Sequence, residues 1–292
     1  MDDHLMAKVR TLGIMQGRLS PPVGERIQCF PRETWSEEFG IASQADLDAI
    51  EWVYDMYGEG ANPLESDEGI SKIRSLSLEH DVAVESICAD WFMEEPLIGG
   101  SEQERMAARR RLHCLLDRAK LLGIGRVVLP FVDASAISSA VLLDQAVEAI
   151  EDALPHARES GIELHLETSL GPQEFAKFLS LVPDPKVWVN YDIGNSSSLG
   201  YDPHEEFAAY GERLGSIHIK DRIFGGGTVA LGSGDADFKT VFLELSRLGY
   251  EGPFILQAAR GEPGDELMHA RTCAVFARGL IGALPVVNGA CA

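Results

Sequence analysis

From residue 162 the chain alternates: Ile162, Leu164 and Leu166 are apolar, while Glu163, His165 and Glu167 between them are ionisable. Strand side chains point to opposite faces in turn, so this segment predicts a strand with one greasy and one polar face. The pattern returns where Ile217 and Ile219 oppose Ser216, His218 and Lys220, and where Val187, Val189 and Tyr191 oppose Trp188, Asn190 and Asp192. Counting every β-rich run predicts eight strands, over 10–19, 49–55, 83–90, 126–132, 162–168, 187–193, 215–221 and 253–259. Helical stretches fill the intervals. Residues 102–122 and 140–160 end at Gly123 and Gly161, suited to the left-handed position that closes a helix, and Asp202-Pro203 and Asp237-Phe238 read as helix starts. Eight successive β-then-α units with no Pro/Ser-rich linker predict an α/β fold, a (β/α)8 TIM barrel in one domain over 1–292. A doubly wound open sheet is the rival, but it usually carries a Gly-rich phosphate turn after its first strand. Here that turn reads Gln16-Gly17-Arg18-Leu19-Ser20-Pro21-Pro22, without GxGxxG.

Composition narrows the partners. Against 25 Lys and Arg stand 46 Asp and Glu, a formal charge of −21, which repels nucleic acid and anionic membrane surfaces. A small anion stays within reach, because a metal ion or a few clustered cations outweigh the global field inside one pocket. Five cysteines, Cys29, Cys88, Cys114, Cys273 and Cys291, show no CxxC spacing and read as reduced thiols. The start Met1-Asp2-Asp3-His4 lacks the basic and apolar regions of a signal peptide, and no uncharged run reaches the roughly 18 residues of a membrane span. A cytoplasmic protein is expected.

In a barrel the apolar face of each strand packs on the helices, so a polar row lines the interior. Glu167, Asp192 and His218 then fall near the C-terminal ends of three neighbouring strands. Two carboxylates and an imidazole converging in this way make an open site for Mg²⁺, Mn²⁺, Co²⁺ or Zn²⁺. The eighth strand offers Gln257 as a fourth ligand, whose amide oxygen binds metal but accepts no proton near neutral pH. Glu163 and His165 are read as hydrogen-bonded core residues. A basic group, Arg18, Lys220, Arg222 and Arg260, follows the first, seventh and eighth strands, which are contiguous in a closed barrel and are expected to share one sector of the mouth. Phosphate commonly binds there, and Gly225-Gly226-Gly227-Thr228 could add backbone donors. Glu51, Asp90 and Asp133 are candidates to hold sugar hydroxyls, with Trp52 and Trp91 as aromatic walls. Arg109, Arg110 and Arg111 read as a solvated helix face.

These segments are familiar in combination. Glu167 in His-Leu-Glu-Thr, Asp192-Ile193-Gly194-Asn195, His218-Ile219-Lys220-Asp221 and Leu231-Gly232-Ser233-Gly234-Asp235-Ala236-Asp237-Phe238 resemble the xylose-isomerase-like sugar phosphate isomerase/epimerase superfamily, nearest to its L-ribulose/L-xylulose-5-phosphate 3-epimerase group. The resemblance implies a barrel with one divalent metal ion (Mn, Mg, Co or Zn), and Glu167, Asp192 and His218 fall on three of its ligand positions. It also implies a second catalytic glutamate on strand eight, where this chain has Gln257. Asn195 replaces the histidine of an Asp-x-x-His pattern, as the pentose-phosphate group itself does. The expected function is a metal-dependent isomerase or epimerase of a ketose, keto-polyol or their phosphates through an enediolate. Glu167 would be metal-bound base, Gln257 would complete the catalytic pair, and Arg18, Asn195, Lys220, Arg222 and Arg260 would position substrate. The alternatives are a dehydratase, a non-catalytic sugar-binding barrel, and endonuclease IV-like hydrolysis, which the charge and the scarcity of histidine disfavour. The expected partner is a small sugar or sugar phosphate; nucleic acid and membrane are not expected, and a homo-oligomer is left open.

Overall fold

The computed structural model describes residues 10–24 and 26–285. Eight parallel strands close on themselves in the order β1-β10-β7-β6-β5-β4-β3-β2. In chain order the elements are β1 (Leu12–Met15), α1 (Glu38–Gln44), β2 (Ala49–Val53), α2 (Asp67–His80), β3 (Ala83–Cys88), α3 (Trp91–Glu94), α4 (Glu102–Leu122), β4 (Arg126–Phe131), α5 (Ala140–Ser160), β5 (Glu163–Thr168) and α6 (Pro172–Leu181). There follow β6 (Val187–Asp192), α7 (Ile193–Leu199), α8 (Pro203–Tyr210), β7 (Leu214–Ile219), β8 (Asp221–Arg222), β9 (Thr228–Val229), α9 (Phe238–Leu248), β10 (Phe254–Leu256) and α10 (Glu266–Ile281). The predicted (β/α)8 barrel is the observed fold.

The helix punctuation works as its chemistry requires. Ser101 and Glu104 form a reciprocal capping box at the start of α4, and Gly123 closes that helix at φ +88°. Gly161 ends α5 in the same way at φ +74°. Asp202 and Asp237 accept backbone N–H groups at the starts of α8 and α9. The outward strand faces supply the main core: Leu164, Leu166, Val187, Val189, Ile217 and Ile219 are wholly shielded from solvent. Trp52 faces outward from β2 into an aromatic nest of Phe30, Trp35 and Phe39, with ring centroids 5.9, 5.7 and 6.4 Å away, and its indole N–H donates to Asn62 Oδ1 at 3.0 Å. It is packing and not a wall of the mouth.

All the predicted strands but the fifth, which ends at Thr168 as expected, run past the observed ones at their C-terminal ends, because the chain turns there into the barrel mouth. One element escaped prediction. Beyond β7, the pair β8 and β9 forms a small antiparallel hairpin over the mouth. Its glycine run makes the turn: the Gly225 and Gly226 N–H groups donate to the Ser198 and Ile223 carbonyls, so neither is available to hold an anion. The motif 231–237 is explained by Asp221, whose Oδ2 accepts from Gly232 N at 2.8 Å and Gly234 N at 2.9 Å and whose Oδ1 accepts from Ala236 N at 3.2 Å. A Cβ on Gly234 would lie 2.3 Å from Asp221 Oδ1, so the loop wraps this carboxylate only with glycine there. Cys29, Cys88, Cys114 and Cys273 are free thiols, and Cys291 lies outside the described residues. No helix among the described residues is long and apolar enough to cross a membrane.

Candidate metal centre

Three strands deliver three side chains to one place. Asp192 and His218 are register partners across β6 and β7, and Glu167 is the last residue but one of the neighbouring strand β5. One ligand atom from each of Glu167, Asp192 and His218 lies within 4.8 Å of the other two, and all three residues are buried. Among the described residues this is the only His/Cys/Asp/Glu trio so arranged.

The local sequence after β6 builds the roof of the trio. Asp192 Oδ1 accepts from Asn195 N at 2.8 Å, capping α7, and the turn so formed aims Asn195 Nδ2 at Glu167 Oε1, 2.7 Å away. Gly194 permits the approach: a Cβ there would meet Lys220 Cγ at 2.7 Å and Lys220 backbone carbon at 3.0 Å. Lys220 in turn extends Nζ to Asp192 Oδ2 and Asn195 Oδ1, both at 3.1 Å, and to Gln257 Oε1 at 3.3 Å. Arg222 Nη1 donates to Asn195 Oδ1 at 2.9 Å.

Below the trio a second layer fixes the imidazole. His218 Nε2 contacts Glu51 Oε1 at 2.8 Å, and both side chains are fully buried. Asn190 Nδ2 donates to Glu167 Oε2 at 2.9 Å and faces His218 Nδ1 at 3.1 Å, while Asn190 Oδ1 accepts from Ser216 Oγ at 2.6 Å. From this network the Nε2 proton is assigned to the Glu51 contact, leaving the Nδ1 lone pair toward Glu167, 3.6 Å away. A carboxylate behind the histidine is the arrangement that orients metal-ligating imidazoles.

The electrostatics are those of an anionic cage. Burial, then repulsion from Asp192, pushes Glu167 up to about 7 against the pull of His218 and Lys220. Burial alone would depress His218, but Glu51, then Glu167 and Asp192, lift it to about 9. Burial would likewise raise Glu51, and the adjacent imidazole overrides it and holds that carboxyl below its usual range. The carboxylates therefore ask for a cation at His218, while the Asn190 N–H aimed at Nδ1 asks for a lone pair. A divalent ion held by Glu167, Asp192 and Nδ1 would supply that positive charge beside a neutral imidazole, taking the Nδ1 lone pair while the Asn190 N–H stays on Glu167 Oε2, so the donor set fits a metal of the hard-to-borderline kind.

A cavity of about 370 Å³ opens above the trio. Glu167, Asn195, Lys220 and Arg222 line one side, and Arg18, Gln28, Asp90 and Gln257 line the other. Arg18, Asp90, Asp133, Asn195, Lys220, Arg222 and Gln257, all anticipated for substrate or fourth-ligand roles, thus share one cavity. Trp52 does not, and neither do three others. Glu51 sits midway along β2, so it points inward but lies beneath the floor, where it meets His218 instead of a ligand. Trp91 turns away into α3 and is buried against Tyr54 at a centroid distance of 5.4 Å, with the Arg111 guanidinium 3.7 Å above its ring. Arg111 is accordingly a packing residue and not part of a solvated face. Arg260 spends its guanidinium on the Ile27 and Ser20 carbonyls, outside the cavity. Arg18 donates to Ile27 O on the same loop at 2.5 Å and to Ala258 O beyond β10 at 2.9 Å yet still reaches the cavity; burial and then Arg260 lower it to about 10. Asp133 stands exposed on the rim at φ +50°. His165 is a core residue, bonded to Ser216 Oγ at 2.7 Å.

Two residues of the site were not singled out from the sequence. Asn190 shares the inward face of β6 with Asp192, so alternation exposed it. Gln28 accepts from Gln257 at 3.0 Å and donates to Asp90 at 2.6 Å, yet it is a lone amide in a loop and carries no periodic signal.

Residues 39–273 match the family model described as the xylose isomerase-like TIM barrel. The chain is 24% identical over 256 residues to the putative L-ribulose-5-phosphate 3-epimerase SgbU of Escherichia coli K12, covering 82% of this chain and 89% of that protein. It is 28% identical over 170 residues to inosose dehydratase of Geobacillus kaustophilus, covering 49% of this chain and 54% of the relative. The crystal structure of the IOLI protein with a bound zinc atom superposes with a TM-score of 0.76 at 15% identity, covering 94% of this chain and 99% of the other.

Proposed function

The chain belongs to the xylose isomerase-like TIM barrel family, and on that premise we propose that it is a divalent-metal-dependent isomerase or epimerase of a ketose, a keto-polyol or their phosphates. The observation that carries the reading is the convergence of Glu167, Asp192 and His218 within 4.8 Å beneath a cavity of small-molecule size. Glu167, Asp192 and His218 would hold the ion, with the Gln257 amide oxygen as a fourth donor. When bound, Mn²⁺, Mg²⁺, Co²⁺ or Zn²⁺ supplies Lewis-acid polarisation of the substrate's oxygens.

Glu167 is the base. Its carboxylate lines the cavity and is oriented by Asn190 and Asn195, which suits abstraction of the acidic proton beside a carbonyl. Lys220 and Arg222, with Arg18 from the facing wall, place positive charge where substrate hydroxyls or a phosphate would dock. Because Gln257 accepts no proton, the carbon proton is taken and returned by Glu167 alone, which favours a proton shift on one face over inversion. Loss of water from a keto-polyol is the second reading, favoured by the same single glutamate at the metal site.

The test is proton NMR of the Mn²⁺-loaded protein in deuterated water with a panel of ketoses, keto-polyols and their phosphates. Deuterium is expected at the carbon beside the carbonyl of at least one compound, and Glu167→Gln is expected to abolish it. A wild type that exchanges no proton and forms no product from any of them overturns the reading in favour of a sugar-binding barrel.

A further inference from the structure

An enediolate route moves two kinds of proton. One leaves and rejoins carbon, the task given above to Glu167. The other must pass between the two substrate oxygens as the carbonyl migrates, and Gln257 is an amide that cannot carry it. The acidic groups nearby can be sorted by what already holds them. Glu51 lies under the floor in contact with His218, and Asp221 is filled by three backbone N–H groups of its loop. Asp133 is exposed at the rim. Among the described residues, and outside the metal trio, Asp90 alone combines burial with a place on the cavity wall, 5% exposed, two strands around the barrel from Glu167.

Its carboxyl is aimed by neighbours that carry no charge. The Cys88 thiol donates to Oδ1 at 3.1 Å, and Gln28 Nε2 donates to Oδ2 at 2.6 Å. Gln28 Oε1 accepts from Gln257 Nε2 at 3.0 Å, and Gln257 Oε1 accepts from Lys220 Nζ at 3.3 Å. Two amides thus form a bridge from the Lys220 ammonium to Asp90, holding the carboxyl at the cavity without neutralising it by an ion pair. We propose that Asp90 is a second catalytic residue of this site, the acid and base that shuttles the proton between adjacent oxygens of the bound substrate. The inference rests on the isomerase reading above. In the forward step Glu167 removes the carbon proton, the C–H electrons form the C=C bond, and protonated Asp90 gives its proton to the carbonyl oxygen. In the second step Asp90 takes the proton of the neighbouring hydroxyl as that oxygen becomes the carbonyl, and Glu167 returns its proton to carbon. Both carboxyls end as they began, with no co-reactant. Burial, above the opposing effect of the Gln28 and Cys88 contacts, sets Asp90 at about 6, so both of its forms are present near neutrality.

The experiment compares wild type, Asp90→Asn, Asp90→Glu and Glu167→Gln, each loaded with Mn²⁺, on the ketose that the wild type deuterates. Asp90→Asn is expected to lower kcat about 100-fold or more with KM within about threefold, the scale of a lost acid–base group. It should bind Mn²⁺ as tightly as wild type and lose the fall in activity that follows deprotonation of Asp90 as pH rises. Asp90→Glu should recover at least about tenfold over Asp90→Asn. Turnover within threefold of wild type in Asp90→Asn overturns the proposal. If Asp90→Asn fails to bind Mn²⁺ or melts early, Asp90→Glu decides: a folded variant with restored turnover supports the shuttle, and one as weak as Asp90→Asn overturns it. Wild-type exchange that dies in Glu167→Gln but ignores Asp90 defeats this inference alone, whereas absence of exchange in the wild type defeats the isomerase reading and this one with it.

Discussion

The two sides of the barrel mouth are built on opposite principles. On the β5–β7 side the chemistry sits on strand side chains: Glu167, Asp192 and His218 are placed by the ladder, and every buried charge there has a partner within 4 Å. On the facing side Arg18, Gln28 and Gln257 come from the ends of strands or from loops, and their bonds run mostly to backbone carbonyls and amides. The first side is a rigid anionic cage that needs a cation. Asp90 apart, the second is an adjustable wall of neutral and positive donors suited to sorting substrates. Buried charges are costly unless paired, so the cage tolerates little substitution, while the wall tolerates more.

That contrast sets the order of effects. Glu167→Gln should remove at least about 10²–10⁴ of the turnover, measured by the deuterium-exchange assay. Next comes Glu51, which touches no substrate. Glu51→Gln should weaken Mn²⁺ binding by about 10–100-fold, measured by titration calorimetry, because His218 loses the carboxylate that orients it. Glu51→Ala should in addition cost about 3–5 kcal/mol of stability in urea unfolding, as a buried ion pair loses one member. On the other wall, Gln28→Ala should leave metal affinity unchanged and alter KM by less than about tenfold. A change in metal affinity with Gln28→Ala as large as with Glu51→Gln would erase the distinction between the two sides.

The smallest effect concerns the support of the loop wall. Glu38 is buried under the first loop and accepts from Gly17 N, Leu19 N and Ser20 Oγ. Burial raises its carboxyl to about 7 in spite of those donors. The folded form therefore holds this proton more tightly than the unfolded chain, whose carboxyl titrates near its ordinary 4.5. Its favourable contribution is complete below pH 4.5 and is lost as pH rises through 7. Thermal melts should show the wild type falling more steeply between pH 5 and 8 than Glu38→Gln; parallel curves would refute it.

How much of this was legible follows the same division. Alternation along strands 162–168, 187–193 and 215–221 exposed the inward faces, and the trio with it, because strand geometry converts spacing directly into direction. Direction is not depth, however. Glu51 points inward as expected but stands at the middle of a five-residue strand, two residues short of its end, and so meets His218 and not the cavity. Trp91 and Arg260 follow their strands closely in sequence, but Trp91 turns into α3 and the Arg260 guanidinium reaches out to the Ser20 and Ile27 carbonyls, and no periodic pattern announces either. The β8–β9 hairpin hid behind a glycine run that reads as flexible loop, and its anchor Asp221 became visible only when its three backbone donors were in place. Gln28 had no signal at all, since a single amide gains its meaning from what lies across the barrel.

The central claim is that Glu167, Asp192 and His218 grip one divalent ion. Elemental analysis with Mn²⁺ titration of the metal-stripped protein tests it most directly, read against Asp192→Asn and His218→Ala. One ion per chain is predicted for the wild type, with binding weakened at least about 100-fold in either variant. A wild type that takes up no ion, or variants that bind as tightly as it does, would contradict it.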